Sequence, residues 1–450
     1  MNHFPKDRAA LVVPPLGGIR ADQSFRLKAE LPTRQVIFAR WRALRIGLMA
    51  VCLAVPGSSA APVERPAAAP LLLISLDAFR WDYIANHPDE TPHLRQLMRE
   101  GVSTRALIPV FPTQTFATHY SIATGLYPSH HGIIGNGFFD AQRGEFFNYR
   151  LPISVRDGRW FGGEPIWVTA IKQGRKSACY FWVGAEAEIG GVRPTFWKNY
   201  DYGIPFATRL DVLMGWLHLP PDQRPAVTLF YFEETNVAGH YYGPGSAEVT
   251  AAIKLLDGNV GAIVDRAKAE GIELNLIVVS DHGMADTEGQ AQTTILDDHL
   301  DLTTVQVDFD GPIAGLRPRD NDVDALLRKL AALSPHYHIY RSEDLPARLH
   351  VSPGPRIPSV WILPDEGWRI QQRSRFISTR DSRLKGDHGY DNAFTSMRGI
   401  FIAHGPAFKN DGSVFEPVEN IHIYNLLSAA IGVKPAPNDG DDRLLKAVLR

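Results

Sequence analysis

Four largely apolar runs, each followed by polar residues, constrain the fold of this chain more than any other feature. They cover residues 71–76, 226–232, 274–280 and 399–405. Apolar runs of this length are typical of strands buried on both faces of a parallel sheet. Helical patterns lie between and after them, at 91–101, 118–124 and 421–431. The alternation predicts an α/β fold with a mostly parallel central sheet flanked by helices.

Polar residues of a few chemical types stand near the ends of these strands. Asp77 follows the first run, His240 lies shortly after the second, and Asp281-His282 follows the third. Thr115 lies in the turn between a predicted strand at 102–108 and the helix at 118–124. Open α/β sheets bind ligands beyond the carboxyl ends of their strands, so we expect these side chains to converge.

The chemistry of these residue types indicates a metal-assisted nucleophile. Asp and His are ligands that zinc accepts. A threonine hydroxyl becomes nucleophilic when a divalent cation stabilises its alkoxide. Taken alone, Thr115 is better explained as a helix N-cap and Asn136 as a turn residue, although an amide N–H can also stabilise an oxyanion. The accompanying Asp and His residues favour the catalytic interpretation.

The composition limits which binding partners and which metal ligands the chain can have. The chain has 450 residues and a net charge of −2 with its histidines neutral. That charge predicts no nucleic-acid-binding surface. The two cysteines, Cys52 and Cys179, cannot build a cysteine-based zinc site, so a metal site must use His, Asp and Glu.

The N-terminus has the three-part pattern of a secretory signal. A basic segment at 40–45 precedes an apolar run at 46–55 and small residues at 56–61. The apolar run is shorter than the ~20 residues that span a bilayer. We therefore predict a leader and signal over 1–61, a periplasmic or secreted protein, and no stable membrane anchor. A Pro/Ala-rich linker is expected at 62–70.

The motifs of the remaining chain resemble those of the nucleotide pyrophosphatase/phosphodiesterase family of the alkaline phosphatase superfamily. They are Ile74–Asp77, Phe111–Phe116, Thr124–Pro128, His131–Asn136, Pro165–Trp167, Val279–Met284 and Gly386–Asn392. The resemblance implies an alkaline-phosphatase-like fold and a phosphodiesterase catalytic domain over 71–450. Weaker periodicity at about 290–385 suggests a smaller inserted region.

The same resemblance implies two zinc ions and a phosphothreonine intermediate on Thr115. The first zinc would be held by Asp77, Asp281, His282 and the Thr115 oxygen. The second would be held by His240, His388 and the residue at position 236, while Asn136 would stabilise the transferring phosphate.

Position 236 departs from the family pattern, which usually has aspartate there. Asn236 keeps a carbonyl oxygen but lacks the negative charge. We therefore expect a weakened second site, and we expect Asn236→Asp to raise zinc occupancy and turnover. Glu233 and Glu234 are nearby alternatives for the missing ligand.

The leading substrate class is a nucleotide 5′-phosphodiester or pyrophosphate. Phe116 and Tyr231 are candidates for stacking on a base, although core packing is the commoner fate of such residues. Three alternatives stay open: a choline-phosphate or lysophospholipid diesterase, a phosphomonoesterase, and a catalytically weakened binding protein with the same fold.

Overall fold

A computed structural model describes residues 69–378 and 383–450. The predicted signal at 1–61 and nearly all of the predicted linker at 62–70 lie outside these residues and stay predictions. Within the described chain, no helix combines the length and apolar character needed to cross a bilayer.

The strands run from the start of the described chain almost to its end. Their bounds are β1 Leu71–Leu76, β2 Val102–Thr104, β3 Leu107–Ile108, β4 Gly137–Asp140, β5 Glu145–Asn148, β6 Ser177–Tyr180, β7 Phe196–Lys198, β8 Val227–Phe232, β9 Asn275–Val279, β10 Ala285–Asp286, β11 Thr293–Ile295, β12 Val305–Phe309, β13 Ala314–Pro318, β14 Tyr337–Arg341, β15 Val360–Pro364, β16 Arg369–Gln371, β17 Gly386–Asp387, β18 Phe401–His404, β19 Val414–Phe415 and β20 Val418–Glu419.

The α-helices alternate with these strands, as the sequence predicts. Their bounds are α1 Tyr83–Asn86, α2 Pro92–Glu100, α3 Thr115–Thr124, α4 Pro128–His131, α5 Pro152–Val155, α6 Ile166–Lys172, α7 Phe206–Leu217, α8 Glu234–Tyr242, α9 Ala247–Ala269, α10 Val323–Leu330, α11 Arg373–Ser378, α12 Ile423–Ala430 and α13 Arg443–Val448.

An eight-stranded sheet forms the centre of the described chain, in the order β19-β2-β18-β9-β1-β8-β6-β7. β1 pairs in parallel with β8 and β9, and β6 pairs in parallel with β8 and β7. β18 runs antiparallel to both of its neighbours. The prediction of an α/β fold with a mostly parallel central sheet is confirmed.

The side chains of β1 alternate between the two faces of the sheet, which explains why the strand is apolar at every position except Ser75. Leu71 and Leu73 pack into the hydrophobic cluster on one face of the sheet, together with α3, α6 and α12. Leu72, Ile74 and Leu76 pack into the cluster on the other face, with α2, α7 and α9. Successive strand residues point to opposite faces, so helices on both faces require apolar side chains on both faces of the strand.

Helix α2 begins at the predicted proline but is capped differently. The Thr91 hydroxyl donates to the His87 carbonyl at 2.8 Å and does not cap the helix. Instead, the Asp257 carboxylate of α9 accepts from the backbone N–H groups of His93 and Leu94. The cap is therefore supplied by a distant residue, which sequence spacing cannot indicate.

Two other predicted bounds change. The strand expected at 102–108 is two strands, because β2 pairs with β18 and β19 whereas β3 pairs with β20. Helix α3 begins at Thr115 itself, three residues before the predicted start at 118.

A second, four-stranded antiparallel sheet lies within the predicted 290–385 region. Its order is β12-β13-β15-β14. Leu326 and Leu330 of α10 join its own hydrophobic cluster. That this region is an insertion stays a prediction.

Candidate active site

The register of β1 brings three chain segments to one edge of the central sheet. Leu76 lies opposite Phe232 at the end of β8. Ser75 lies opposite Val279 at the end of β9. The residues that follow these strands therefore meet, and they include Asp77, the start of α8 and Asp281.

The first cluster consists of Asp77, Asp281, His282 and Thr115. The Nε2 atom of His282 lies 3.0 Å from Asp281 Oδ2, 3.5 Å from Asp77 Oδ1 and 3.3 Å from the Thr115 hydroxyl oxygen. Both carboxylates and the imidazole are buried. These four predicted ligands of one metal are thus brought together.

His119 supports this cluster and was missed from the sequence. Its Nδ1 lies 3.2 Å from Asp281 Oδ2 and 2.8 Å from the Thr115 carbonyl, and its Nε2 lies 2.8 Å from the Ser75 hydroxyl. It is fully buried. The available signal was its position four residues after Thr115 on the same helix, which places both on one face.

Tyr231 forms a hydrogen bond with Asp77. Its hydroxyl donates to Asp77 Oδ2 at 2.5 Å, and the residue is 8% exposed. The more accessible aromatic residue is Tyr200, which is 51% exposed and whose ring centroid lies 6.3 Å from that of Tyr231. The structure therefore makes Tyr231 a hydrogen-bond donor to a predicted metal ligand. Its predicted role in substrate stacking stays a prediction.

The two buried carboxylates of the first cluster favour the binding of a cation between them. Burial and the neighbouring Asp281 carboxylate raise the pKa of Asp77 to about 7. Burial alone would raise the pKa of Asp281 too, but His282 and His119 hold it well below its ordinary range. Two carboxylates this close repel each other unless positive charge lies between them.

The start of α3 orients Thr115. Asn136 accepts a hydrogen bond from the Phe116 backbone N–H through Oδ1 at 2.9 Å. Its own backbone N–H donates to Gln114 Oε1 at 2.8 Å. The bond from the Phe116 N–H holds the Asn136 side chain beside Thr115. Because Oδ1 is the acceptor in it, the side-chain N–H₂ group is the part of Asn136 that can donate to a substrate.

The second cluster contains His240, Asp387 and His388, each of which offers a ligand atom within 4.8 Å of the others. Nδ1 of His240 lies 3.0 Å from the Gly386 carbonyl, and Nδ1 of His388 lies 3.0 Å from the Thr113 carbonyl. Both contacts favour the tautomer in which Nε2 is the metal-binding nitrogen.

Asn236 lies one helical turn before His240 on α8. Its Oδ1 is buried and accepts no hydrogen bond. Glu233, an alternative for this position, is ion-paired with Arg209 at 3.0 Å, with both side chains buried. Asp387 was missed as a candidate, although it stands inside the quoted Gly386–Asn392 motif.

The two clusters adjoin. The rings of His282 and His388, one from each cluster, stack with centroids 3.7 Å apart. Burial, followed by His282 and His240, lowers the pKa of His388 well below its ordinary value, so this imidazole is neutral, as a metal ligand must be.

The donor atoms fit divalent metal ions. Asp77 Oδ1 and Asn236 Oδ1 are buried oxygens without a hydrogen-bond partner. Such atoms are uncommon in folded proteins and require an explanation, which a bound ion supplies. Carboxylate and carbonyl oxygens together with imidazole nitrogens are a ligand set that zinc accepts.

Comparison with known proteins places the chain in a family. A family model described as type I phosphodiesterase/nucleotide pyrophosphatase matches residues 71–391. The chain belongs to this family. The resemblance seen in the sequence motifs is thereby confirmed.

Relatives within the family include a venom phosphodiesterase and an ectonucleotide pyrophosphatase/phosphodiesterase. A venom phosphodiesterase of Crotalus durissus collilineatus is 38% identical over 395 residues, which are 85% of this chain and 46% of the relative. Human ectonucleotide pyrophosphatase/phosphodiesterase family member 1 is 38% identical over 394 residues, 85% of this chain and 42% of that protein. The chain thus spans about half the length of the curated family members it matches.

Solved structures of the family share the fold. Murine ectonucleotide pyrophosphatase/phosphodiesterase 5 superposes with a TM-score of 0.79 at 30% identity, over 85% of this chain and all of that one. An inactive threonine-to-alanine variant of the same murine protein, in complex with AMP, superposes with a TM-score of 0.78 at 30% identity over 84% of this chain and all of that one. The expected alkaline-phosphatase-like fold is confirmed.

Proposed function

We propose that this chain is a zinc-dependent phosphodiesterase that hydrolyses nucleotide 5′-phosphodiester or pyrophosphate bonds through a phosphothreonine intermediate on Thr115. One observation carries the proposal. The Thr115 hydroxyl lies 3.3 Å from His282 Nε2, within the Asp77/Asp281/His282 cluster and next to a second candidate metal cluster. Adjacent metal sites of this kind suit in-line displacement at phosphorus.

The ligand assignments belong to the same proposal. Asp77, Asp281, His282 and the Thr115 oxygen would hold one zinc ion, and the second would be held by His240, His388 and Asn236. When bound, the two ions would stabilise the negative charge on the attacking and leaving oxygens of the displacement.

The protein residues position and activate the nucleophile. Thr115 Oγ attacks phosphorus and forms a new P–O bond while the bond to the leaving group breaks; the hydroxyl proton passes to solvent, and the nucleotide stays esterified to Thr115 through its phosphate. Attack of water on phosphothreonine then releases the nucleotide and restores the Thr115 hydroxyl. The Asn136 amide N–H₂ would donate to a phosphoryl oxygen in both steps. His119 contacts both Asp281 and the Thr115 carbonyl, and so fixes the carboxylate relative to the first turn of α3.

A nucleotide is the substrate class that the surroundings favour. Phe116 follows the nucleophile and packs against Tyr149, with ring centroids 5.6 Å apart. Tyr200 presents a half-exposed ring next to Tyr231. Aromatic rings at an accessible rim can stack on a base. The AMP complex of the murine relative supports the same substrate class.

A matched set of variants tests the proposal. Thr115→Ala should abolish hydrolysis of a nitrophenyl nucleotide diester, and Thr115→Ser should retain part of it. Thr124→Ala is the control, because the Thr124 hydroxyl, nine residues later on the same helix, donates to the Tyr120 carbonyl. Mass spectrometry of acid-quenched reactions should find the nucleotide, joined through its phosphate, on the peptide that contains Thr115.

A substrate panel separates the alternatives. The nucleotide diester should be hydrolysed faster than the nitrophenyl choline diester and the simple nitrophenyl monoester. Preference for the choline compound or the monoester would overturn the substrate assignment. Residual hydrolysis that Thr115→Ala leaves unchanged would indicate a binding protein and refute the mechanism.

Export forms part of the proposal. The basic, apolar and small-residue segments over 40–61 are a secretory pattern. Matched relatives are named as venom and ecto-enzymes. We infer a periplasmic or secreted protein whose signal ends near residue 61.

A further inference from the structure

The second candidate metal site lacks formal negative charge among the ligands that the family pattern assigns to it. His240, His388 and Asn236 are all neutral donors, whereas the first cluster contains the Asp77 and Asp281 carboxylates. A divalent ion in a buried site with neutral ligands alone is poorly compensated, because water cannot screen it. A compensating anion nearby would remove this imbalance.

Asp387 is placed to act as that anion. Its Oδ1 lies 3.8 Å from His240 Nδ1 and accepts a hydrogen bond from the His388 backbone N–H at 2.9 Å. Only 5% of the residue is exposed. One carboxylate oxygen thus contacts both histidine-bearing segments of the second cluster.

The position of Asp387 is fixed by the backbone around it. β17 pairs with β10, with Asp387 opposite Ala285, shortly after the Asp281-His282 turn. On its other side β17 packs closely on α8, since a Cβ atom at Gly386 would lie 2.5 Å from the Gly239 carbonyl oxygen. The carboxylate is therefore tied to the segments that carry ligands of both clusters.

The second oxygen of the same carboxylate accepts a hydrogen bond from Arg369. Its Nε donates to Asp387 Oδ2 at 2.7 Å, and Arg369 is 1% exposed. The two oxygens have different neighbours, because Oδ2 faces the guanidinium and Oδ1 faces the histidines. This division distinguishes Asp387 from a carboxylate that only pairs with a buried arginine.

We propose that Asp387 is a positioning residue that supplies, through His240 and His388, the negative charge that Asn236 does not bring to the second metal site. The inference rests on the two-metal site of the proposed function. The Gly386 carbonyl accepts the His240 Nδ1 hydrogen bond, so the Asp387 carboxylate acts on this imidazole through its charge and increases its basicity. Loss of an outer-shell partner of a metal ligand typically costs ~10- to 100-fold in metal affinity.

The inference changes the expectation for Asn236→Asp. If Asp387 already supplies the charge, this substitution alone should raise second-site zinc affinity only slightly. In an Asp387→Asn background, the same substitution should restore the affinity that Asp387→Asn removes. Such a dependence of one residue on another is what a double-mutant cycle measures.

The experiment measures zinc binding to the apo forms of the full chain by competition with a chromophoric chelator. The forms are wild type, Asp387→Asn, Asn236→Asp and the double variant. Asp387→Asn should weaken the second, weaker binding event ~10- to 100-fold and leave the first unchanged. Adding Asn236→Asp should recover most of the loss.

Two further variants separate charge from structure. Arg369→Gln breaks the same ion pair but keeps the carboxylate, so second-site affinity should not fall. Asp308→Asn breaks the Arg317–Asp308 pair, at 2.6 Å, between β12 and β13 and should leave both binding events unchanged. Equal losses in Asp387→Asn and Arg369→Gln would show a structural ion pair and overturn the inference.

Other outcomes are equally decisive. Unchanged zinc binding in a folded Asp387→Asn variant, or no recovery in the double variant, would refute the role of Asp387. Wild-type protein that binds two zinc ions but hydrolyses no nucleotide diester would instead refute the proposed function. The two failures are thus distinguished by binding and turnover measured on the same preparation.

Discussion

Replacing Tyr231 by phenylalanine tests whether this residue supports Asp77 or stacks on a substrate base. The substitution keeps the ring, so stacking would be preserved. It removes the hydroxyl that donates to Asp77 Oδ2 at 2.5 Å in a buried setting. The two roles therefore predict different results from a single atom change.

The size of the effect follows from the bond that is lost. A hydrogen bond to a charged group contributes about 1.5–3 kcal/mol. That free energy is a contribution to folding stability. Because the bond also orients a predicted metal-ligating carboxylate, zinc affinity at the first site should fall ~10- to 100-fold, the usual cost of losing such a partner. The rate constant kcat should fall with it at limiting zinc, and KM for the nucleotide should change little.

The assay combines chelator competition for zinc with kinetics on a nitrophenyl nucleotide diester. Tyr120→Phe is the matched control, because it removes a buried hydroxyl that donates to the Gly162 carbonyl, away from the ligands. Tyr200→Ala is the counterpart, and it should raise KM while zinc affinity stays constant. If Tyr231→Phe matches wild type and Tyr231→Ala mainly raises KM, the supporting role is wrong and stacking is correct.

Two further predictions concern acid stability and processing. Burial lowers the pKa of His131 to about 3, so the unfolded chain binds a proton there below about pH 6.5 that the folded chain does not. The contribution of His131 to the free energy of unfolding is therefore complete above pH 6.5. It falls by up to about 1.4 kcal/mol per pH unit as the pH is lowered from 6.5 to 3, and His131→Gln should reduce this pH dependence in urea unfolding. N-terminal sequencing of exported protein should find a mature chain that begins close to residue 62; an intact residue 1 in that fraction would contradict the signal assignment.

The central sheet could be predicted because burial on both faces leaves a simple record in sequence. Leu71–Leu76 is apolar at every position except Ser75, since each apolar side chain packs into one of the two clusters that helices cover. Asp77 and Asp281-His282 could be placed for the same reason, because the carboxyl ends of parallel strands share an edge. Strand polarity and hydrophobic pattern were sufficient for this part of the site.

Contacts between distant segments could not be read from the sequence. Asp257 caps α2 from α9, and the capping position itself, Thr91, bonds elsewhere. His119 supports Asp281 from another element of the fold. In both cases the pairing depends on helix packing across about 160 residues of chain, where spacing carries no information.

The zinc affinity of the second site cannot be predicted from the residue at position 236 alone. Asn236 alone suggests a weakened site, because a carbonyl oxygen replaces a carboxylate. The structure adds a carboxylate at Asp387, which adjoins both histidines of the same cluster through one oxygen. The electrostatic energy of a bound ion depends on all charges within a few ångströms, whether or not they touch it. The relevant quantity for the second site is therefore the distribution of charge around it, in which the Asp387–Arg369 ion pair has its negative oxygen Oδ1 on the side of the histidines.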